Sequence, residues 1–141
     1  MRTSARNMLK GKIAEVKRGA VNAEVFVDLP GAAKLVAIIT EDSVDTLGLA
    51  TGSEVYALIK SSFVLLARPE EVGRTSARNM LKGTVTTRTD GAVNSEITLD
   101  IGGGLRIAAI ITKESAASLG FKVGEPACAL VKASHIILAV D

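Results

Sequence analysis

Arg2-Thr-Ser-Ala-Arg-Asn-Met-Leu-Lys-Gly11 occurs again, without a change, as Arg74 to Gly83. Everything after each copy follows in step at a constant offset of 72 residues, residue 2 aligning with residue 74. The two tails have drifted until only about half of all aligned positions are identical, yet the opening ten all are. Drift spread evenly along a duplicated chain would not spare one decapeptide, so something holds this segment fixed in both copies. The repeat divides the 141 residues into two units, 1–68 and 74–141. Between them Arg68-Pro-Glu-Glu-Val-Gly73 falls outside the register, and residues 69–73 read as a short linker.

Within each unit the pattern is mostly that of strands. Met8 to Val16 alternates Leu9, Gly11 and Ile13 with Lys10 and Lys12. After the Arg18-Gly19 turn, Val21, Ala23, Val25, Val27 and Leu29 share one face of a second strand. Pro30-Gly31 turns the chain again, and Lys34 to Thr40 predicts a third, more fully buried strand. At Thr40 the period changes. A hydroxyl cap, acids at Glu41 and Asp42 and a glycine at Gly48 predict a short helix, repeated from Thr112 to Gly120. A fourth strand is expected over Val55 to Ser61 and a fifth over Phe63 to Ala67. Five strands with one helix between the third and fourth is the order of an OB-type barrel. The fold class expected is therefore all-β, two tandem OB-like five-stranded barrels with one short helix each.

Units of about 68 residues bury only roughly 60% of their unfolded surface. Three Phe, one Tyr and no Trp leave Ala, Val, Ile and Leu to build the core. The apolar excess favours further burial between units or subunits. The net charge of +2 is too small to argue for nucleic acid or an anionic membrane. No apolar run is long enough to span a bilayer, and the polar N-terminus shows no secretory signal, so a soluble cytoplasmic protein is expected. Cys128 aligns with Tyr56 and reads as a small core hydrophobe.

Several chemistries fail the test of recurrence. The aromatic residues are unmatched between copies, Phe26 aligning with Thr98 and Phe63 with His135, so no repeated base-stacking face exists. One His and one Cys, both in the second copy, cannot make a repeated metal or nucleophile site. Glu24, Glu96, Asp28 and Asp100 recur, and read as solvated carboxylates on an outer strand face. What does recur is donors: Thr3, Ser4, Arg6 and Asn7 within five residues, with Thr40/Thr112, Ser43/Ser115, Lys60/Lys132 and the Asn22/Asn94 turns. Clustered hydroxyls, a guanidinium and turn amides suit an oxyanion. The same residues would equally make a turn with a hydroxyl cap. A charge-assisted hydrogen bond contributes about 1.5–3 kcal/mol, against roughly 8 for micromolar binding, so several donors must converge.

The paired Thr-Ser-Ala-Arg-Asn-x-Leu-x-Gly segments, each opening a unit of about 68 residues, resemble the Mop (TOBE-type) molybdate-binding domain. The tandem is similar to the di-Mop molbindins, over essentially the whole chain. The resemblance implies OB-like barrels, a homotrimer, and cytoplasmic storage and homeostasis of molybdate or tungstate at subunit interfaces, with no enzymatic activity, no covalent cofactor and no metal site. By motif it implies that Ser4, Ala5 and Arg6 contact one anion, with Thr40, Lys60 and Ser61 closing the site. In the second copy the equivalents are Ser76, Ala77, Arg78, Thr112, Lys132 and Ala133. Ala133 stands where Ser61 does, so that site has one hydroxyl fewer. A second type of site is implied at Val21, Asn22, Val93 and Asn94. The alternative is a molybdate-responsive sensor that docks a protein or nucleic acid. Such a sensor is expected to carry a further domain, for which the repeats, running from residue 2 to the C-terminus, leave no room.

Overall fold

The computed structural model describes all of Met1–Asp141. The first copy opens with a 12-residue strand, β1 (Asn7–Arg18), whose Leu9, Gly11 and Ile13 face inward. β2 (Asn22–Asp28) and β3 (Lys34–Thr40) follow as an antiparallel meander, then helix α1 (Glu41–Leu47), β4 (Glu54–Ile59) and β5 (Leu65–Ala67). The second copy repeats the order as β6 (Asn79–Asp90), β7 (Asn94–Gly102), β8 (Leu105–Thr112), α2 (Lys113–Leu119), β9 (Pro126–Val131) and β10 (Ile137–Ala139). A long strand serves two neighbours by bending. The register of β1 slips between Ile13 and Glu15, and that of β6 between Val85 and Thr87, the equivalent positions. Such bulges curl a sheet towards a barrel.

Both helices start as the sequence predicts. The Thr40 hydroxyl accepts from the Ser43 amide at 3.1 Å and Thr112 does the same for Ser115, while Gly48 and Gly120 close the C-termini in the left-handed region. The ends of the expected fourth and fifth strands differ. Ser61–Phe63 and Ala133–His135 are turns of 3-10 helix, which end the preceding strand and reorient the next. Val21, read as the start of an inward face, and its counterpart Val93 lie before β2 and β7 and stand 72% and 73% exposed.

Two five-stranded sheets result, and each takes its last strand from the other copy. Their orders are β10-β4-β1-β2-β3 and β5-β9-β6-β7-β8. Leu66 pairs with Ala129, and Leu138 with Ala57. The two units therefore exchange their closing strands rather than each completing its own sheet. Their cores merge into a single cluster of 28 buried side chains, nearly all Ala, Val, Ile and Leu, with Phe121 its one aromatic ring. Cys128 is fully buried in β9, and desolvation pushes its thiol pKa up.

The decapeptide ties the halves together. Asn7 and Asn79, each 2% exposed, bond the backbone of β8 and β3 of the opposite copy. Gly11 and Gly83 are fixed by crowding: a Cβ there would lie 2.6 Å from the Asp28 carbonyl oxygen and 2.4 Å from that of Asp100. The β2–β3 and β7–β8 turns abut, so that a Cβ on Gly103 would meet the Pro30 oxygen at 2.3 Å. Arg68 of the connecting segment bonds Glu70, Glu125 and the Leu119 carbonyl, pinning that segment to the second copy.

Candidate functional site

At the start of β1 the chain makes a hydroxyl-capped turn, the Ala5 amide donating to Thr3 Oγ1 at 3.0 Å. The turn forms one wall of a cleft of about 390 Å³. Ser4, Ala5 and Arg6 lie on that wall, with Lys60 and Ser61 opposite on the 3-10 turn after β4. Leu58 and Ile137 supply an apolar floor. No carboxylate is among the residues lining the cleft, whose charged side chains are Lys60 and Arg6, the latter paired with Glu96 from outside the lining. Five of the six residues expected at the first site are thus brought together. Thr40 is not among the lining residues; its hydroxyl caps α1 and donates to Ser43 Oγ at 2.8 Å.

The second copy builds a related but different cleft of about 380 Å³. Ser76, Ala77 and Lys132 line it, and the Ala77 amide is held by Thr75 Oγ1 at 3.1 Å. Arg78 and Ala133 do not. Ser62 and Phe63 enter from the first copy, and His135 lines it from the second. Phe63 and His135, aligned positions of the two copies, stack with ring centroids 4.5 Å apart. The single imidazole of the chain thus pairs with its own counterpart and faces this cleft. Lys60 Nζ lies 5.3 Å from the Phe63 centroid, so the lysine of the first cleft also rests over the stack.

Thr112 lines a third, adjoining cleft of about 490 Å³ with Asn94 and Ser115, sharing Ser62, Leu65 and Leu130 with the second. Val21, Asn22, Val93 and Asn94 form turns in which the Asn22 and Asn94 carbonyls accept from Gly19 and Gly91. The Val21 and Val93 carbonyls accept from the first amides of α1 and α2. Val21 and Asn22 do not line the first cleft.

Two expectations need correction. Asn7 was grouped with the free donors, but both atoms of its amide are engaged by Ala108, and Asn79 is spent likewise on Val36 and Val131. Glu24 and Glu96, read as solvated, hold the decapeptide arginines of the opposite copy: Arg78 Nη2 lies 2.9 Å from Glu24 Oε2, and Arg6 pairs with Glu96. The only available signal for either was recurrence in both copies, which does not name a partner.

The family model for the TOBE domain matches residues 3–66 and again residues 75–138. The chain belongs to the TOBE-domain family. The chain is similar to the molybdenum-pterin-binding protein MopA of Rhodobacter capsulatus, 54% identical over 140 residues, which are 99% of this chain and 53% of that protein. The molybdenum transport protein ModE of Azotobacter vinelandii is 40% identical over 99% of this chain and 52% of its own length. The chain spans about half the length of these curated relatives. Among solved structures, the cytoplasmic molybdate-binding protein ModG, crystallised with molybdate bound, superposes over the whole of both chains with a TM-score of 0.96 and 49% identity. That match covers both TOBE sheets and the exchanged strands that close them.

Proposed function

We propose that this chain binds molybdate or tungstate for storage and homeostasis in the cytoplasm, as a homotrimer with anions held at subunit interfaces and without catalysing a reaction. The observation that carries the reading is the first cleft, where Ser4, Ala5, Arg6, Lys60 and Ser61 converge with no carboxylate on the walls. Its chemistry suits a tetrahedral dianion. Hydroxyls, an ammonium and a guanidinium all donate, and a fully deprotonated oxyanion offers only acceptors. Monoprotonated phosphate would bring an O–H into a site built to donate, at a cost of about 1–3 kcal/mol if that group is buried unpaired. The similarity to MopA and to molybdate-bound ModG supports the choice of metal oxyanion.

The clefts are open on one side and do not enclose an anion by themselves. A neighbouring subunit is the natural remainder of the wall. Thr40, which does not line the first cleft, and Thr112, which lines a separate cleft, would then close sites of adjacent subunits rather than of their own. Val21 and Val93, exposed beside Asn22 and Asn94, fit the same assembly and the second type of site.

A molybdate-responsive sensor is the second reading, favoured by the similarity to the transcriptional regulator ModE of Yersinia pestis, 34% identical over 99% of this chain and 53% of that protein. Equilibrium dialysis against molybdate, tungstate, sulfate and phosphate, with the mass in solution measured in parallel, tests the first reading. Uptake of molybdate or tungstate by a species three times the chain mass is expected. A monomer that takes up neither would overturn it. Capture of a protein or DNA fragment only in the presence of molybdate would favour the sensor.

A further inference from the structure

We propose that Glu96 sets the affinity of the first anion cleft by holding the arginine that cleft needs. The inference rests on the proposed function. Arg6 lines the first cleft beside Ser4 and Lys60, yet its Nη2 donates to Glu96 on β7 of the other copy. The same pair recurs at the equivalent positions, Arg78 Nη2 lying 2.9 Å from Glu24 Oε2 on β2. A carboxylate presents two anionic oxygens to a guanidinium fork, as an oxyanion does. Glu96 therefore occupies donors that the anion would use, and the bound state must either share the fork or displace the glutamate.

The geometry permits release. The Arg6 side chain is 52% exposed and Glu96 32%, so the pair sits at the surface, where an ion pair is weak and readily exchanged. The two copies are unequal. Arg6 faces its cleft while paired, whereas Arg78 does not line the second cleft at all. Displacing Glu96 thus returns donors directly to a formed site, and displacing Glu24 requires Arg78 to turn as well. The latch also crosses from one sheet to the other, so loading the first cleft frees a carboxylate on β7, next to Ser95 and Asn94.

The test is calorimetric titration of molybdate into the wild type, Glu96→Gln, Arg6→Ala and the double variant. Glu96→Gln keeps the shape and removes the competing charge. It is expected to tighten binding about two- to fivefold, the value of an exposed ion pair. In the Arg6→Ala background the same substitution is expected to do nothing. A gain that persists there would be long-range charge alone and would overturn the latch. Unchanged or weaker binding by Glu96→Gln, in a protein whose melting temperature is unaltered, would overturn it too. A wild type that takes up no anion removes the proposed function and the latch together, whereas a wild type that binds and a Glu96→Gln that binds identically remove the latch alone.

Discussion

Asn7 and Ala108 lie 101 residues apart in the chain and exchange two hydrogen bonds. Asn7 Nδ2 donates to the Ala108 carbonyl at 2.8 Å, and the Ala108 amide donates to Asn7 Oδ1 at 2.7 Å. Asn79 makes the same pair with Val36. A carboxamide thus takes the place of one more strand residue, joining the start of each long strand to the opposite sheet. Truncating Asn7 to Ala would leave a buried amide and carbonyl on Ala108 without partners. At about 1–3 kcal/mol per orphaned group, a loss of ~2–4 kcal/mol is expected by chemical denaturation, with no change in the residues lining the cleft. A loss below half a kilocalorie would mean that water or a backbone shift replaces both bonds.

Gly11→Ala is expected to destabilise by about 1–3 kcal/mol, because the new methyl would lie 2.6 Å from the Asp28 carbonyl oxygen and 2.7 Å from Val27 Cγ1. The Asp28 carbonyl is strand backbone and can move only by opening the β1–β2 pair. The thermal midpoint measures this directly. A variant as stable as the wild type would show that the crossing is looser than these distances indicate.

For the proposed anion site, Ser4→Ala, Arg6→Ala and Lys60→Ala each remove one donor from the first cleft. Hydrogen bonds to a charged partner contribute about 1.5–3 kcal/mol, so each substitution should weaken molybdate binding at that cleft by roughly ten- to a hundredfold. All three side chains sit at the rim, so the ligand-free melting temperature should stay within a degree or two. Ligand binding to the folded protein should raise the midpoint of the wild type, and saturating molybdate that leaves it unmoved would refute the site.

The strand exchange predicts how a single repeat behaves. Residues 1–68 alone would present β4 with its outer edge unpaired, since β10 covers it in the whole chain. Their own β5 would project without the β9 it pairs with. Two such fragments can satisfy each other by exchanging β5, so a dimer is expected in sedimentation experiments. A fragment that stays monomeric and still unfolds cooperatively would show that β5 can fold back onto its own β4.

Asp90 offers a pH test. Its carboxyl accepts from Ser95 Oγ at 2.6 Å and from Arg88, and these two partners, in that order, hold its pKa below the usual value of 3.8. A depressed carboxylate pKa stabilises the fold above its ordinary titration range and loses that contribution as pH falls through the lowered value. The stability difference between wild type and Asp90→Asn should therefore be full at neutral pH and shrink below about pH 4. A difference that is constant down to pH 2 would mean the carboxylate charge plays no part.

Much of this molecule follows from local pattern. The repeat, the alternation of Leu9, Gly11 and Ile13, and the Thr40 and Thr112 caps each depend on neighbours in the chain, and each is found where the pattern puts it. Most of the first cleft was legible for the same reason, since Ser4, Ala5 and Arg6 are consecutive and Lys60-Ser61 ends a strand paired with β1. What the tertiary structure alone decided is which partner each recurring element takes. Leu65-Leu66-Ala67 and Ile137-Leu138-Ala139 alternate alike, so either could close either sheet at the same local cost, and nothing in their residues distinguishes the exchanged arrangement. Asn7, Arg6, Glu96 and the Phe63–His135 stack share that ambiguity. A hydrogen bond or a stack across the two copies is chosen by the geometry of the merged core, which no stretch of the chain carries by itself.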